Sequence, residues 1–180
     1  MNSPVEYITS RKNTFNDIYP ELMNSIEWIR RDRTPRQEAF YSFVDTSYTY
    51  GSGAGIRTYM PIISIPDSLR NVWTQVENVC GTWFEFCFLN RYDSQHEHLG
   101  WHADDSDSID QTRPIAVLSL GAERDIWFRA NGSSDVDKLR LESGSILIMQ
   151  PGIQGTHQHR IPKHDRPCET RISLTFRGAA

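Results

Sequence analysis

From residue 83 to the C-terminal region the chain is a succession of short β-rich runs with turn residues between them and no helix-length segment. The runs fall at 83–92, 99–102, 115–120, 125–129, 138–141, 145–149, 157–161 and 171–177. Many short strands without long intervening helices point to a sandwich or barrel, and a double-sheet jelly roll fits best. Upstream the period changes. Leu22, Met23, Ile26 and Ile29 fall at helical spacing after Pro20, which suits a first-turn position, and predict a helix over 20–31. Leu69, Val72, Trp73, Val76 and Val79 predict a second helix over 66–80, with Gly81 placed to end it. Residues 38–44 read as an aromatic-rich strand, 47–55 as a Tyr- and Gly-rich loop or hairpin, and the first dozen as loosely held. With 180 residues, the expectation is one mainly β domain with flanking α. Two N-terminal helices and a lid segment (about 14–82) would precede a jelly-roll core (about 83–178), the helices buttressing one of its sheets.

Two groups of residues carry chemistry. In His102-Ala103-Asp104 the His and Asp are two apart, so on a strand or its end they point at one spot and can chelate one metal. By itself a His-x-Asp pair most often means a solvated acidic loop, and Asp105, Asp107 and Asp110 follow this one. A second histidine from the 157–161 run, His159 or its neighbour His157, would complete a 2-His-1-carboxylate facial triad, the ligand set of non-heme Fe(II) oxygenases. The second group lies in Arg171-Ile172-Ser173-Leu174-Thr175-Phe176-Arg177, where polar and apolar residues alternate strictly. The usual meaning of alternation is a half-exposed strand with both arginines in water. If that face lines a cavity instead, Arg171 can grip a carboxylate bidentately, and Arg177 can reach a second carboxylate or an acid beside the metal. Phe84, Phe86, Phe88, Asn90 and Tyr92 repeat the pattern: an aromatic floor ending in two hydrogen-bonding groups, a make-up common in small-molecule pockets.

Taken in order, Asn90-Arg91-Tyr92, Gly100-Trp101-His102-Ala103-Asp104-Asp105, Ser119-Leu120-Gly121-Ala122, Gln158-His159-Arg160-Ile161-Pro162-Lys163 and 171–177 resemble the AlkB family of Fe(II)/2-oxoglutarate dioxygenases. Weaker similarity extends upstream through Pro35-Arg36 and Tyr41. The resemblance implies a double-stranded β-helix, a form of jelly roll, with His102, Asp104 and His159 on Fe(II). It implies Arg171 and Tyr92 on the distal carboxylate of the 2-oxoglutarate cosubstrate, with Asn90 and Arg177 near the end that chelates iron. O2 is the other cosubstrate. Ser173 departs from the family, which commonly has Asn there; serine is shorter and has one fewer donor. The activity implied is oxidative demethylation of an alkylated base, such as 1-methyladenine or 3-methylcytosine, in DNA or RNA that is single-stranded or has the base flipped out. Candidate base contacts are Tyr48 and Tyr50 in the lid, Trp101 beside the metal motif, and Asp105, which could instead organise Arg177. Candidate backbone contacts are Arg30, Arg31, Arg33, Arg36, Arg160, Lys163 and Arg166.

Charge sets a limit on this. The formal net charge is −4, so nucleic acid would have to be held by a local patch. The Gly-rich run lacks the Gly-Lys-Ser/Thr of a P-loop. Three cysteines without Cys-x-x-Cys spacing argue for a reducing compartment and against a disulfide framework or zinc ribbon. No apolar run nears the ~20 residues of a membrane span and no signal-peptide core is present. The expectation is a cytoplasmic monomer with no membrane partner. Rival readings are a 2-oxoglutarate oxygenase acting on a protein side chain or metabolite, a jelly-roll binding module without turnover, and a zinc hydrolase. The last would leave the paired arginines without a purpose.

Overall fold

The computed structural model describes residues 4–9, 15–51 and 56–180, so the Gly-rich run lies outside the described residues at 52–55. The strands, in chain order, are β1 (Val5–Ile8), β2 (Gln37–Ser42), β3 (Tyr48–Tyr50), β4 (Arg57–Tyr59), β5 (Phe86–Tyr92), β6 (Leu99–His102), β7 (Ile115–Gly121), β8 (Arg124–Ala130), β9 (Asp137–Leu141), β10 (Ser145–Met149), β11 (His157–Ile161) and β12 (Arg171–Arg177). A six-stranded sheet runs β1-β10-β7-β12-β5-β2, a four-stranded sheet runs β6-β11-β8-β9, and β3 pairs with β4 as a separate hairpin. The pairings within the sheets are antiparallel. This is the expected jelly roll.

The larger sheet has a core on each face. On the outer face lie α1 (Tyr19–Ser25) and α2 (Asp67–Cys80). Leu22, Leu69, Val72, Trp73 and Val76 from these helices pack against Leu118, Leu174 and Phe176, and the Trp73 indole donates to the Phe84 carbonyl at 3.1 Å. Gly81 ends α2 in the left-handed conformation (φ 66°), its N–H donating to the Glu77 carbonyl. Between the sheets, Phe86, Phe88, Val117, Ile126, Leu147 and Ile161 form the second core. Both helices therefore buttress one sheet, as expected. No helix among the described residues is long and apolar enough to cross a membrane.

Several local expectations shift, each for a tertiary reason. The first helix stops at Ser25 because the backbone beyond it finds partners elsewhere. The Glu27 N–H donates to the Tyr41 hydroxyl at 3.0 Å, and Ile29 bridges to Glu38. Val79 is exposed, and Cys80 turns to the core in its place. Phe84 precedes β5 and joins the helix-side core with Trp73 and Phe176, so it does not share a face with Phe86 and Phe88. Residues 5–8, expected to be loose, are tied down as a strand beside β10.

Candidate metal and 2-oxoglutarate site

β12 decides the site. It lies between β5 and β7, with Arg171 opposite Tyr92 and Gly121, Ser173 opposite Asn90 and Ser119, and Thr175 opposite Phe88 and Val117. All its residues are buried, so the alternation does not mark a half-exposed strand. Ile172, Leu174 and Phe176 face the helices, while Arg171, Ser173 and Arg177 line a cavity between the sheets. The cavity is closed on the other side by the smaller sheet, where His159 of β11 pairs directly with His102 of β6. Cross-strand partners on one face lie side by side, and here the imidazole centroids are 4.2 Å apart. Asp104 follows β6 by two residues and completes the group: one ligand atom from each of His102, Asp104 and His159 lies within 4.8 Å of the others. His157 is not in this group; its Nδ1 is hydrogen-bonded to the Thr156 hydroxyl at 2.8 Å.

The electrostatics suit a cation. His102 Nδ1 lies 2.9 Å from the Gly100 carbonyl, which can only accept, so Nδ1 carries the proton and Nε2 presents its lone pair. Nε2 is 3.9 Å from Asp104 Oδ1. Burial pushes both imidazoles toward the neutral, ligating form, and His159, beside His102, falls to about 3. Burial alone would raise the Asp104 carboxyl, but Arg177 and the two histidines pull it down to about 2. Arg177 reaches Asp104 Oδ2 from NH2 at 2.8 Å and from Nε at 3.2 Å. The acid beside the metal anticipated for Arg177 is therefore Asp104, and Asp105 is exposed at the mouth instead.

Within the site, the buried polar atoms left without partners fit the ligands it would take. Among the described residues, Asp104 Oδ1, Tyr92 Oη and Arg171 Nε and NH1 are buried with no hydrogen-bond partner, and each such group is costly unless a ligand satisfies it. An acceptor orphaned within the histidine pair fits a metal cation. Donors orphaned at Arg171 and Tyr92 fit a carboxylate. Arg171 is fixed by one bond, NH2 to the Ser119 hydroxyl at 2.9 Å, and its guanidinium lies 5.3 Å from the Tyr92 ring centroid.

Other side chains support the arrangement. Gln154, on the short helix α3 (Ile153–Thr156), accepts the Asp104 N–H at 2.9 Å, and Gln111 donates to the Asp104 carbonyl at 2.9 Å. Arg36 is buried, donating from Nε to Asn90 Oδ1 at 2.6 Å and from NH2 to Glu38 at 2.7 Å. That replaces its expected role as a phosphate contact; the signal was the charge pair spaced two apart along a strand edge. Arg30 is half-exposed and pairs with Glu97, while Arg160 lies between the rings of Trp101 and Trp127. Lys163 and Arg166 are exposed.

The mouth is a depression of about 740 Å³ lined by Tyr48 and Tyr50 of β3, by Trp101, His102 and Asp105, and by Gln158. Tyr50 meets the His102 ring edge-on at 5.4 Å. Tyr48 is only 2 % exposed, enclosed by Phe40, Phe86 and Phe88 with Arg177 over its ring. It builds the wall, which leaves the half-buried rings of Tyr50 and Trp101 nearer to an incoming ligand.

Residues 15–177 match the family model of the 2OG-Fe(II) oxygenase superfamily. The chain belongs to that superfamily. Its cofactor set is accordingly Fe(II), 2-oxoglutarate and O2, and the triad and the orphaned donors fit the first two. The chain is 34% identical over 151 residues to the mouse protein named DNA oxidative demethylase ALKBH2, covering 79% of this chain and 61% of that one. It is 30% identical over 177 residues to the human alpha-ketoglutarate-dependent dioxygenase alkB homolog 3, covering 89% and 60%. It also matches 8% of the RNA-directed RNA polymerase of Lolium latent virus, 31% identical over 147 residues, or 79% of this chain. The chain thus spans about three fifths of the length of the first two relatives. The solved structure of OsALKBH1 superposes with a TM-score of 0.65 over 99% of this chain and 98% of that one, at 15% identity, and shares the fold.

Two predictions follow from this geometry. Gly121 ends β7 opposite Arg171 with φ +85°, and a Cβ there would collide with the Thr170 carbonyl. Gly121→Ala is expected to lose more than about 1 kcal/mol of stability and to weaken 2-oxoglutarate binding by displacing Arg171. Denaturant unfolding and calorimetry check both. The second concerns pH. His102 and His159 take up protons below about 6.5 when unfolded but resist protonation when folded. The stability of the metal-free protein is therefore full above about 6.5 and declines as pH falls from there toward 3. A thermal midpoint that stays flat between pH 7 and 5 would contradict the buried neutral pair.

Proposed function

We propose that this chain is an Fe(II)/2-oxoglutarate dioxygenase that removes methyl groups from alkylated bases, such as 1-methyladenine or 3-methylcytosine, in DNA or RNA. One observation carries the reading. A single cavity has an orphaned carboxylate oxygen beside two neutral imidazoles at one end, orphaned cationic donors at the other, and an aromatic-lined mouth above. The similarity to ALKBH2 and alkB homolog 3 supports the substrate class.

His102, Asp104 and His159 would hold iron, which when bound supplies the oxidising chemistry with O2 and 2-oxoglutarate. Arg171 and Tyr92 hold the distal carboxylate of 2-oxoglutarate, and Asn90 with Ser173 lines the path between. Arg177 neutralises and orients Asp104, so the carboxylate keeps one oxygen turned to the metal position. The cavity walls, Val117, Ile126 and Ile161, exclude water from the reacting end. Tyr50 and Trp101 flank a single-stranded or flipped-out base, with Asp105 accepting from its amino group and Tyr48 supporting the lid. Net chemistry converts N–CH3 to N–CH2OH as 2-oxoglutarate and O2 become succinate and CO2; the hydroxymethyl group then leaves as formaldehyde, its hydroxyl proton is released, and the ring nitrogen regains its lone pair. We place the protein in the cytoplasm as a monomer, in line with its free cysteines.

The test is mass spectrometry of oligonucleotides carrying 1-methyladenine or 3-methylcytosine after incubation with the Fe(II)-loaded protein, 2-oxoglutarate and air. Loss of one methyl group, dependent on 2-oxoglutarate, supports the proposal. Consumption of 2-oxoglutarate with every oligonucleotide unchanged would move the substrate to a protein or metabolite.

A further inference from the structure

Three buried side chains connect the lid hairpin to the cosubstrate cavity. The Tyr59 hydroxyl of β4 donates to Glu38 Oε2 at 2.8 Å, Arg36 NH2 donates to Glu38 Oε1 at 2.7 Å, and Arg36 Nε donates to Asn90 Oδ1 at 2.6 Å. All three are enclosed: Tyr59 is 3 % exposed, Glu38 2 % and Arg36 6 %. The order of donors fixes the orientation of the last member. A guanidinium only donates, so the Asn90 carbonyl oxygen faces Arg36 and the amide NH2 is turned away from it. Asn90 lines the cavity, where an NH2 group is the right partner for an anionic 2-oxo acid. Each Glu38 oxygen serves one partner, and the planar guanidinium serves Glu38, Asn90 and, more loosely at 3.4 Å, the His98 carbonyl, so a shift at Tyr59 is passed on to Asn90 as a change of angle.

The hairpin at the other end faces the substrate mouth. Tyr59 pairs with Tyr48 across β3 and β4, and the same hairpin places Tyr50 against His102. A base pressing on Tyr50 and a cosubstrate bonding to Asn90 thus act on the two ends of one rigid connection. We propose that Arg36, Glu38 and Tyr59 are positioning residues that make capture of the nucleic acid by the lid and binding of 2-oxoglutarate cooperative. This inference rests on the function proposed above.

A connection that served only as glue would affect stability and leave the two ligands independent, so the test reads their coupling. A fluorescent single-stranded oligonucleotide carrying 1-methyladenine is titrated with Fe(II)-loaded protein without oxygen, with and without saturating 2-oxoglutarate, and followed by anisotropy. Coupling energies between sites commonly correspond to about 5-fold or more in affinity and act equally in both directions. The wild-type protein is expected to bind the oligonucleotide about 5-fold or more tightly when 2-oxoglutarate is present. In Tyr59→Phe, which removes one hydroxyl, that factor falls to near one while binding without 2-oxoglutarate is little changed. Glu38→Ala, which removes the acceptors of both partners, gives the same collapse. Thermal unfolding of both variants establishes that they are folded. Retention of the wild-type factor in both variants overturns the inference, as does a wild-type protein that binds both ligands with no coupling. Failure of the functional reading looks different: the wild-type protein would not bind the oligonucleotide, or would not bind 2-oxoglutarate by calorimetry.

Discussion

Asp104→Ala is expected to lose the iron and, separately, several kcal/mol of fold stability. Asp104 is 1 % exposed and Arg177, 5 % exposed, donates to it twice. Removing the carboxylate leaves the guanidinium buried without its counter-charge, a change that costs about 3–5 kcal/mol. The effect belongs to the metal-free protein, so denaturant unfolding in the presence of a chelator measures it apart from any loss of metal stabilisation. Asp104→Asn separates the two roles. The amide oxygen can still accept from Arg177, so less stability is lost, but the anionic ligand is gone and iron content falls as far as in the alanine variant. An alanine variant as stable as wild type without metal would show that Arg177 is satisfied by other groups.

Arg171→Met is expected to act in the opposite direction on stability while nearly abolishing cosubstrate binding. Arg171 is fully buried, with Nε and NH1 unpartnered. Burial, with the nearby Arg124, pulls its pKa down to about 10 against the opposing effect of Tyr92, so it remains charged at neutral pH. Methionine of similar length removes an uncompensated charge from the interior, which is often neutral or stabilising. The same substitution removes the donors aimed at the distal carboxylate. Truncating one partner of a buried, hydrogen-bonded charge pair costs roughly 2–5 kcal/mol, so 2-oxoglutarate affinity should drop by about two orders of magnitude. Calorimetry on the Fe(II) protein without oxygen gives the affinity, and thermal unfolding without ligand gives the stability. Unchanged 2-oxoglutarate binding would remove Arg171 from the site.

The parts of the site that were legible from the residues alone follow from strand periodicity. Arg171, Ser173 and Arg177 lie on one face because strands repeat every two residues, and that remained true whichever way the face pointed. His102 and Asp104 were expected to meet for the same reason, at the end of a strand, whereas the choice of His159 over His157 rested on the family resemblance and its pairing with His102 came only with the fold. The parts that were not legible depend on which element covers which. The arginines could have faced water; only the second sheet makes their face a cavity. Arg36 sits in a cluster of surface-like cations, and its burial requires Glu38 and Asn90 on adjacent strands. Gln154 holds the Asp104 backbone from a one-turn helix too short to give a periodic signal. Tyr48 and Tyr50 share one face of β3, yet what covers each differs: Tyr48 is enclosed by Phe40, Phe86 and Phe88, while Tyr50, one step further along the strand, meets the His102 ring. Phe84 misled because the strand begins two residues later, where the phase of the alternation is set.

The most direct test of the account is the stoichiometry of products from an oligonucleotide carrying 1-methyladenine. Succinate and formaldehyde should form in equal amounts, and both should disappear in His102→Ala. Succinate without formaldehyde, at the same rate with unmethylated strands, would contradict the account and leave an oxygenase whose substrate is not a methylated base.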